Sequence, residues 1–492
     1  MAQYDKSAEH GNCLQGVTLA KEHRWRTSKN ALANVCRGGA TAAVALALPH
    51  FLTRSLGGER FSAWSLMLQM SAIAAYFDFG LQTILGRFVA QAAERGEDET
   101  LSKLASTSMT LLGVASLIPL AACGLFLPFL PVVFHSSSIV VLHEIQRGVA
   151  ILVIGTAFCL PLSACTGLLV GLHKNEIPAL AIGISRLLGA LTVIVCARYS
   201  SSLISLALCF TSWNLIGGLA QLFSVKRLLP SLRLTAQFYD RNLAKTLVQH
   251  SLVLTVLSCC MIIISNVDLT IVGHFNFIAV GPYSVATTLT TFLYGLNATV
   301  CAAFYAPIAV MEQRGDQAGI RTSLERLTFF TSLINMAVIV ANYLLGKALL
   351  TWWVGPAYMP KTFPILQVLL AANAIRLVAS PFAAGVIATG RHKALISGGI
   401  IEAAVNLPLS ILGAVFMGPI GVAYGTLVGA VVGVVWILSV TSRVTVTDLM
   451  APGSILSNGL FKPLLAYIPR VLFSLWQGMS RPFSMQLCYL SC

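Results

Sequence analysis

Five charged side chains stand inside long apolar stretches of this sequence: Asp78, Arg186, Asp268, Arg376 and Glu402. Each type has a limited chemical repertoire in such surroundings. An arginine offers a fixed fork of N–H donors that matches a phosphate bidentately. A carboxylate can bind Na⁺, carry a proton, or hold a cationic partner. Arg376 lies near the middle of its apolar stretch between Pro364 and Pro381, residues that free backbone carbonyls and permit bends. Its side chain either meets a phosphate or forms a structural ion pair with an acid such as Asp268 or Glu402. Asp268 sits beside Asn266 in "ISNVDLTIVG", about one turn from the outer surface, where it either binds a coupling ion or is simply hydrated. Asp78, in "YFDFGLQT", lies roughly 13 Å deep, about nine residues from Arg87 at 1.5 Å per residue.

The elements that position these groups follow from composition. The chain has 492 residues, of which 56% are hydrophobic and only 10% charged, with a mean hydropathy of +0.80. A soluble domain carries about 25% charged residues. Twelve windows reach the roughly 20 apolar residues a transmembrane helix needs: 31–53, 61–86, 107–133, 147–170, 178–197, 202–223, 248–273, 281–310, 327–346, 363–388, 395–417 and 419–440. The runs are continuous, unlike the alternating pattern of barrel strands. An all-α polytopic membrane protein is predicted.

Its net charge of +14 points to cytoplasmic loops rather than to nucleic acid. With a cytoplasmic N-terminus, only Arg54, Arg60, Arg147, Arg198, Lys347 and Lys361 fall on the outer side. Arg186 and Arg376 lie within helices, and the rest of the 32 Lys and Arg are on the inner side. Both termini are expected to be cytoplasmic. The polar first thirty residues do not read as a cleavable signal peptide.

Two tetrapeptides suggest a duplication. "GLHK" at 171–174 returns as "GRHK" at 390–393, an offset of 219 residues. "ERGED" at 94–98 returns as "QRGDQ" at 313–317 with the same offset, and "RFSAW" (60–64) and "PYSVA" (282–286) fall near that register, a few residues displaced. Six helices return the chain to its starting side, so the two copies are parallel, related by an axis along the membrane normal. The predicted organisation is a cytoplasmic tail (1–30), an N-lobe of helices 1–6 (31–223), a basic linker (224–247), a C-lobe of helices 7–12 (248–440) and a cytoplasmic or interfacial tail (441–492). Subtracting the offset from Glu402 gives 183, near Arg186, so matching helices present opposite charges, either a structural clamp or a gate.

Other features read as bland. His173 and His392 lie at water-exposed turns beside Lys174 and Lys393, and no catalytic role is assigned to them. Most of the twelve cysteines lie in apolar windows without paired metal-ligand spacing, which suits packing. Gly421, Gly425, Gly429 and Gly433 form a stripe for close helix approach. The linker suits an amphipathic helix on anionic headgroups. Segment 460–476, broken by Lys462, Pro463, Pro469 and Arg470, suits the interface. There is no phosphate loop ending in Lys-Ser/Thr, no HExxH and no GxSxG.

Residues 48–98 resemble the oligosaccharide (Wzx-type) flippases of bacterial polysaccharide synthesis, within the superfamily that also holds multidrug and toxin extrusion (MATE) transporters. The likeness is carried by Leu56-Gly57-Gly58, by Asp78-x-Gly80-Leu81, by Arg87-Phe88-Val89-Ala90 and by "RGED". A second patch, 266–289, resembles the family's seventh-to-eighth helix junction, and helix order agrees over roughly 31–440. Phe61 and Ser62 stand where the family more often has Tyr-Gly. The resemblance implies two six-helix lobes and alternating access in the bacterial inner membrane. It implies translocation of an undecaprenyl-pyrophosphate-linked glycan, alongside anionic phospholipids, a polysaccharide polymerase and glycosyltransferases. Arg186 and Arg376 become the substrate-binding cavity cations. Asp78, Asp268 and Glu402 become coupling or gating residues, with H⁺ or Na⁺ as the driving ion and no bound cofactor. Two alternatives stay open: a cation antiporter for drugs, and a membrane glycan polymerase or ligase.

Overall fold

Apolar runs longer than a bilayer is thick leave the backbone one way to satisfy its hydrogen bonds, and the chain takes it throughout. In the computed structural model, residues 38–134, 139–200, 202–388 and 393–444 are described, with isolated positions 453, 457 and 465. All their regular elements are helical. The first pass is α1 (38–55). The second is broken: α2 (Gly57–Ala75), a 3-10 turn (Tyr76–Asp78) and α3 (Leu81–Glu94). The third is α4 (Asp98–Phe126) ending in α5 (Leu130–Val133). Single helices make the next three: α6 (Ile139–Gly171), α7 (Glu176–Tyr199) and α8 (Leu203–Leu228). The seventh pass is again interrupted, between α9 (Arg241–Asn266) and α10 (Asp268–Phe275). Five more follow as α11 (Val280–Gln313), α12 (Gln317–Val354), α13 (Met359–Ala388), α14 (Lys393–Met417) and α15 (Pro419–Val444). Among the described residues, ten runs from α4 onward are long and apolar enough to cross a membrane.

The chain forms two compact units. One takes the described residues as far as Phe292 with Ala348–Leu366 and Leu407–Gly425. The other takes Leu293–Lys347, Gln367–Asn406 and the described residues from Thr426 onward. In the first unit, Leu81, Leu85, Val89, Leu101, Leu104, Leu112, Leu168 and Leu169 pack into one core, and Leu247 of α9 joins it. Helices α3 and α6 approach closely there: a Cβ on Gly167 would lie 2.8 Å from the Gln82 carbonyl. Such contacts matter because lipid removes the hydrophobic drive between helices and leaves packing to hold them. In the second unit, Ile308, Ile320, Leu324 and Phe382 form a core.

The duplication is written into the backbone. Arg95, Gly96, Glu97 and Leu101 donate to the carbonyls of Gln91, Ala93, Ala92 and Glu97. Arg314, Gly315, Asp316 and Ile320 donate to Val310, Glu312, Met311 and Asp316, the same four bonds displaced by 219. Gly96 and Gly315 both turn the chain at positive φ, +67° and +68°, a conformation open to glycine and costly for other residues. Near the third matched pair, residues one offset apart touch. Ser62 Oγ accepts the Gly281 N–H at 3.0 Å and Ser65 meets Ser284 at 2.9 Å, both 219 residues apart.

The linker also departs from expectation. Instead of an amphipathic helix, residues 229–240 run as an irregular strap along α4, with one 3-10 turn at Ala236–Phe238. Arg233 donates its N–H to Ser102 Oγ (3.3 Å) and accepts at its carbonyl from Ser106 (3.0 Å). Two hydroxyls one turn apart on a helix thus grip one residue's backbone. Leu232 and Leu234 point into the first unit's core while Ser231, Arg233 and Thr235 stay exposed.

Candidate functional site

An ion pair in the apolar interior joins two of the five residues singled out by sequence. Arg376 Nε lies 2.6 Å from Glu402 Oε1, with the side chains 17% and 12% exposed. Helix α13 brings the arginine and α14 the glutamate. Despite Pro364 and Pro381, α13 is one continuous helix. Within the same unit, α15 makes room for the acid: a Cβ on Gly433 would stand 2.9 Å from both Cβ and Oε2 of Glu402. One step along the stripe, a Cβ on Gly429 would stand 2.9 Å from Asn406 Cβ. The glycine stripe therefore seats polar side chains in a helix interface. Arg376 Nη2 is buried and has no hydrogen-bond partner among the described residues. A guanidinium held through Nε alone thus leaves a buried N–H group unsatisfied, which carries a free-energy cost.

Arg186 is placed differently. It is exposed, and its Nη1 donates to Thr41 Oγ1 of α1 at 2.8 Å. Glu402 pairs with Arg376 inside its own unit.

Asp78 forms the break in the second pass. Its Oδ1 accepts the Gly80 N–H at 3.0 Å, closing an Asx turn through Phe79 (φ +51°) and Gly80 (φ +68°). A Cβ on Gly80 would stand 2.7 Å from Leu254 Cβ, so the break is fitted against α9.

Asp268 is buried, at 4% exposure, rather than hydrated. Tyr283 of α11 donates its hydroxyl to Asp268 Oδ2 at 3.0 Å. Beside it, Gln69 Nε2 donates to the carbonyl of Asn266 at 3.0 Å and to its side-chain oxygen, filling the break between α9 and α10. Sequence reasoning missed Tyr283 and Gln69. One signal was available: Tyr283 is the repeat equivalent of Trp64, and both are fully buried.

His173 caps α6 in the left-handed region (φ +58°), which suits a turn residue. His392, the 1–30 tail, the 441–492 tail beyond Val444 and the 460–476 segment lie outside the described residues, apart from the isolated positions named above.

No protein-family model matches the chain, and no characterised protein matches it by sequence. Solved structures do. An inward-facing multidrug resistance MATE family transporter of the MOP superfamily superposes with a TM-score of 0.64, at 15% identity, over 83% of this chain and 96% of that one. The chain has the MATE and MurJ transporter fold. The lipid II flippase MurJ, in an inward closed conformation, gives a TM-score of 0.61 at 18% identity, covering 86% and 92%. The Vibrio cholerae MATE transporter VcmN, as a point mutant, gives 0.61 at 14%, covering 88% and 98%. The MATE/MurJ-like fold is therefore present over most of the chain.

Proposed function

We propose that this protein is an alternating-access flippase for lipid-linked oligosaccharides. Its substrate is an undecaprenyl-pyrophosphate glycan of cell-surface polysaccharide or O-antigen synthesis, moved across the bacterial inner membrane with both termini cytoplasmic. The reading rests on the Arg376–Glu402 pair. A charge inside the membrane costs about 2.5–3.5 kcal/mol on insertion scales, so its retention calls for a use. A buried N–H without a partner adds roughly 1–3 kcal/mol, which a pyrophosphate oxygen docking on Arg376 offsets. The fold shared with MurJ and the Wzx-type resemblance of residues 48–98 support the same class. Arg186 is the secondary cation, Asp78, Asp268 and Glu402 the coupling or gating acids, and H⁺ or Na⁺ the driving ion. Anionic phospholipids, a polymerase and glycosyltransferases are the partners this pathway requires.

A cation antiporter is the second reading, favoured by the buried Asp268–Tyr283 pair, an acid beside an aromatic ring. Vesicle assays decide between them. Arg376→Ala is expected to abolish translocation of a fluorescent undecaprenyl-pyrophosphate glycan while the protein still inserts, at a lowered unfolding midpoint. Wild-type translocation by that variant, or dye efflux that depends on Asp268 and not on Arg376, overturns the flippase reading.

A further inference from the structure

In the second unit, helix α11 turns inward the residue least suited to an apolar interior. Asn297 is fully buried, while Tyr294 and Leu296 beside it are 43% and 42% exposed, and Gly295, Ala298 and Thr299 are exposed as well. An amide is costly to bury without partners, whereas a leucine is at home against lipid. Asn297 has one partner: its Nδ2 donates to the Leu293 carbonyl, one turn back on the same helix, at 3.1 Å. A carbonyl only accepts, so the amide nitrogen must face it and the side-chain oxygen faces away. That oxygen, Oδ1, is buried and has no hydrogen-bond partner among the described residues.

What lies level with it follows from the packing of α11 on α13. Cys301 Sγ meets Ser380 Oγ at 3.7 Å, and Cys301 shares a core with Leu327 and Ala384. Further along α11, Phe304 and Ile308 pack with Phe382, so the two helices run the same way. One turn back from Cys301 stands Asn297, and one turn back from Ser380 stands Arg376. Arg376 Nη2 is a buried donor without a partner among the described residues, while Nε is held by Glu402. The unit therefore keeps an unsatisfied acceptor and an unsatisfied donor at one level, on facing helices. The offset of 219 relates Asn297 to Asp78, so both copies carry an Asx side chain at the same point of their second pass.

We propose that Asn297 reads the sugar beside the phosphate: Arg376 Nη2 donates to a phosphate oxygen, and Asn297 Oδ1 accepts a hydrogen bond from the sugar that this phosphate carries. This rests on the flippase reading. Both atoms are buried here, and alternating access must uncover them for substrate to enter. A phosphate oxygen cannot satisfy Asn297 Oδ1, because both are acceptors. The donor covalently nearest to a glycosyl phosphate is the hydroxyl or amide N–H on the second ring carbon, next to the anomeric centre. Substrates whose first sugar keeps that donor are selected. A 2-deoxy sugar leaves the amide oxygen unpaired, which a site built around a hydrogen bond rejects more strongly than an apolar pocket rejects a missing methylene.

The test uses full-length protein in vesicles and two probes, undecaprenyl-pyrophosphate glucose and undecaprenyl-pyrophosphate 2-deoxyglucose, each followed from one leaflet to the other. Wild-type protein is expected to move the first about tenfold faster, the worth of one hydrogen bond to a buried acceptor. Asn297→Leu is expected to erase the difference, moving both probes at the slower rate. Its unfolding midpoint is expected to be no lower than the wild type's, because an apolar group replaces an unsatisfied amide. Equal rates for the two probes in the wild type, or a difference that survives Asn297→Leu, overturns the proposal. The wild-type comparison needs no variant and decides the matter even if Asn297→Leu does not fold. Movement of neither probe would count against the flippase reading. Binding of the same probes in detergent, read by tryptophan fluorescence, then tests Asn297 separately. Tighter binding of the glucose probe that Asn297→Leu loses supports the proposal, and equal or undetected binding overturns it.

Discussion

Ser65 and Ser284 are repeat equivalents, 219 residues apart, and their hydroxyls touch at 2.9 Å. A residue that contacts its own counterpart lies on the axis relating the two copies, as at an isologous dimer interface. Ser62 and Gly281 place a second point on that line. The same relationship appears at the helix ends nearby. Phe134 and Trp353 are equivalents, both buried, and each reaches across to the first helix of the other copy. Phe134 covers Gly273, whereas Trp353 Nε1 donates to the Leu46 carbonyl. His50 and Arg54 then bond the carbonyls of Trp353 and Trp352. These last-turn carbonyls have no partner within α12, so side chains of α1 complete the helix end.

The axis contact has no room to spare. A Cβ on Gly281 would stand 3.0 Å from Ser62 Oγ, 3.1 Å from Phe61 and 3.3 Å from Tyr358. Gly281→Val is expected to destabilise the fold by about 1–3 kcal/mol through overpacking. Thermal unfolding in detergent checks this; an unchanged midpoint would show that the crossing is loose.

Removing one member of the Arg376–Glu402 pair leaves the other charge uncompensated, at about 3–5 kcal/mol. Arg376→Met and Glu402→Met are each expected to lower the unfolding midpoint strongly. The double variant is expected to recover much of the loss. A double-mutant cycle on purified protein measures the coupling, and additive effects would show that the two side chains do not depend on one another.

Gly433→Ala is a subtler probe of the same pair, because its methyl group meets Glu402 Cβ and Oε2 at 2.9 Å. Translocation is expected to fall severalfold with normal membrane insertion. Wild-type translocation would mean that Glu402 moves aside freely.

Tyr283→Phe deletes the hydroxyl that Asp268 accepts, at an expected cost of about 1–3 kcal/mol for a charged, buried acceptor. Adding Asp268→Asn is expected to recover part of it, since a neutral amide is less costly to bury. Equal unfolding midpoints for the wild type and Tyr283→Phe would remove the pair from the list of structural contacts.

Ser102→Ala with Ser106→Ala removes the two hydroxyls on the strap backbone, each bond being worth about 0.5–1.5 kcal/mol. Trypsin cleavage after Arg233 is expected to accelerate severalfold, read by mass spectrometry of the fragments. An unchanged rate would leave the strap held by Leu232 and Leu234 alone.

The helical class and the presence of Arg376 and Glu402 inside it were readable from residue types, and the repeat from its fixed offset. "RGED" and "RGDQ" were informative because only a glycine suits the turn after each helix at low cost, so the motif carries its geometry with it. The partner of Glu402 was harder. A repeat offset tells which residues are equivalent, not which ones touch; of the two acids considered for Arg376, Glu402 is the one it pairs with. The break at Asn266–Asp268 was hidden because the apolar stretch resumes on both sides of these two polar residues, so a single window spans it. Tyr283 was missed because its acid lies 15 residues earlier, across an intervening turn. The strap was read as helical from its basic residues, while the alternation of Ser231 to Thr235 between exposed and half-buried positions was the better guide.

The grip of Ser102 and Ser106 on Arg233 falls on its peptide groups, which every residue type but proline supplies. Outward-facing positions 231, 233 and 235 are therefore open to substitution without loss of anchorage. Evolution can retune the surface charge of this segment, and an experimenter can place a reporter dye on it, while the fastening beneath stays as it is.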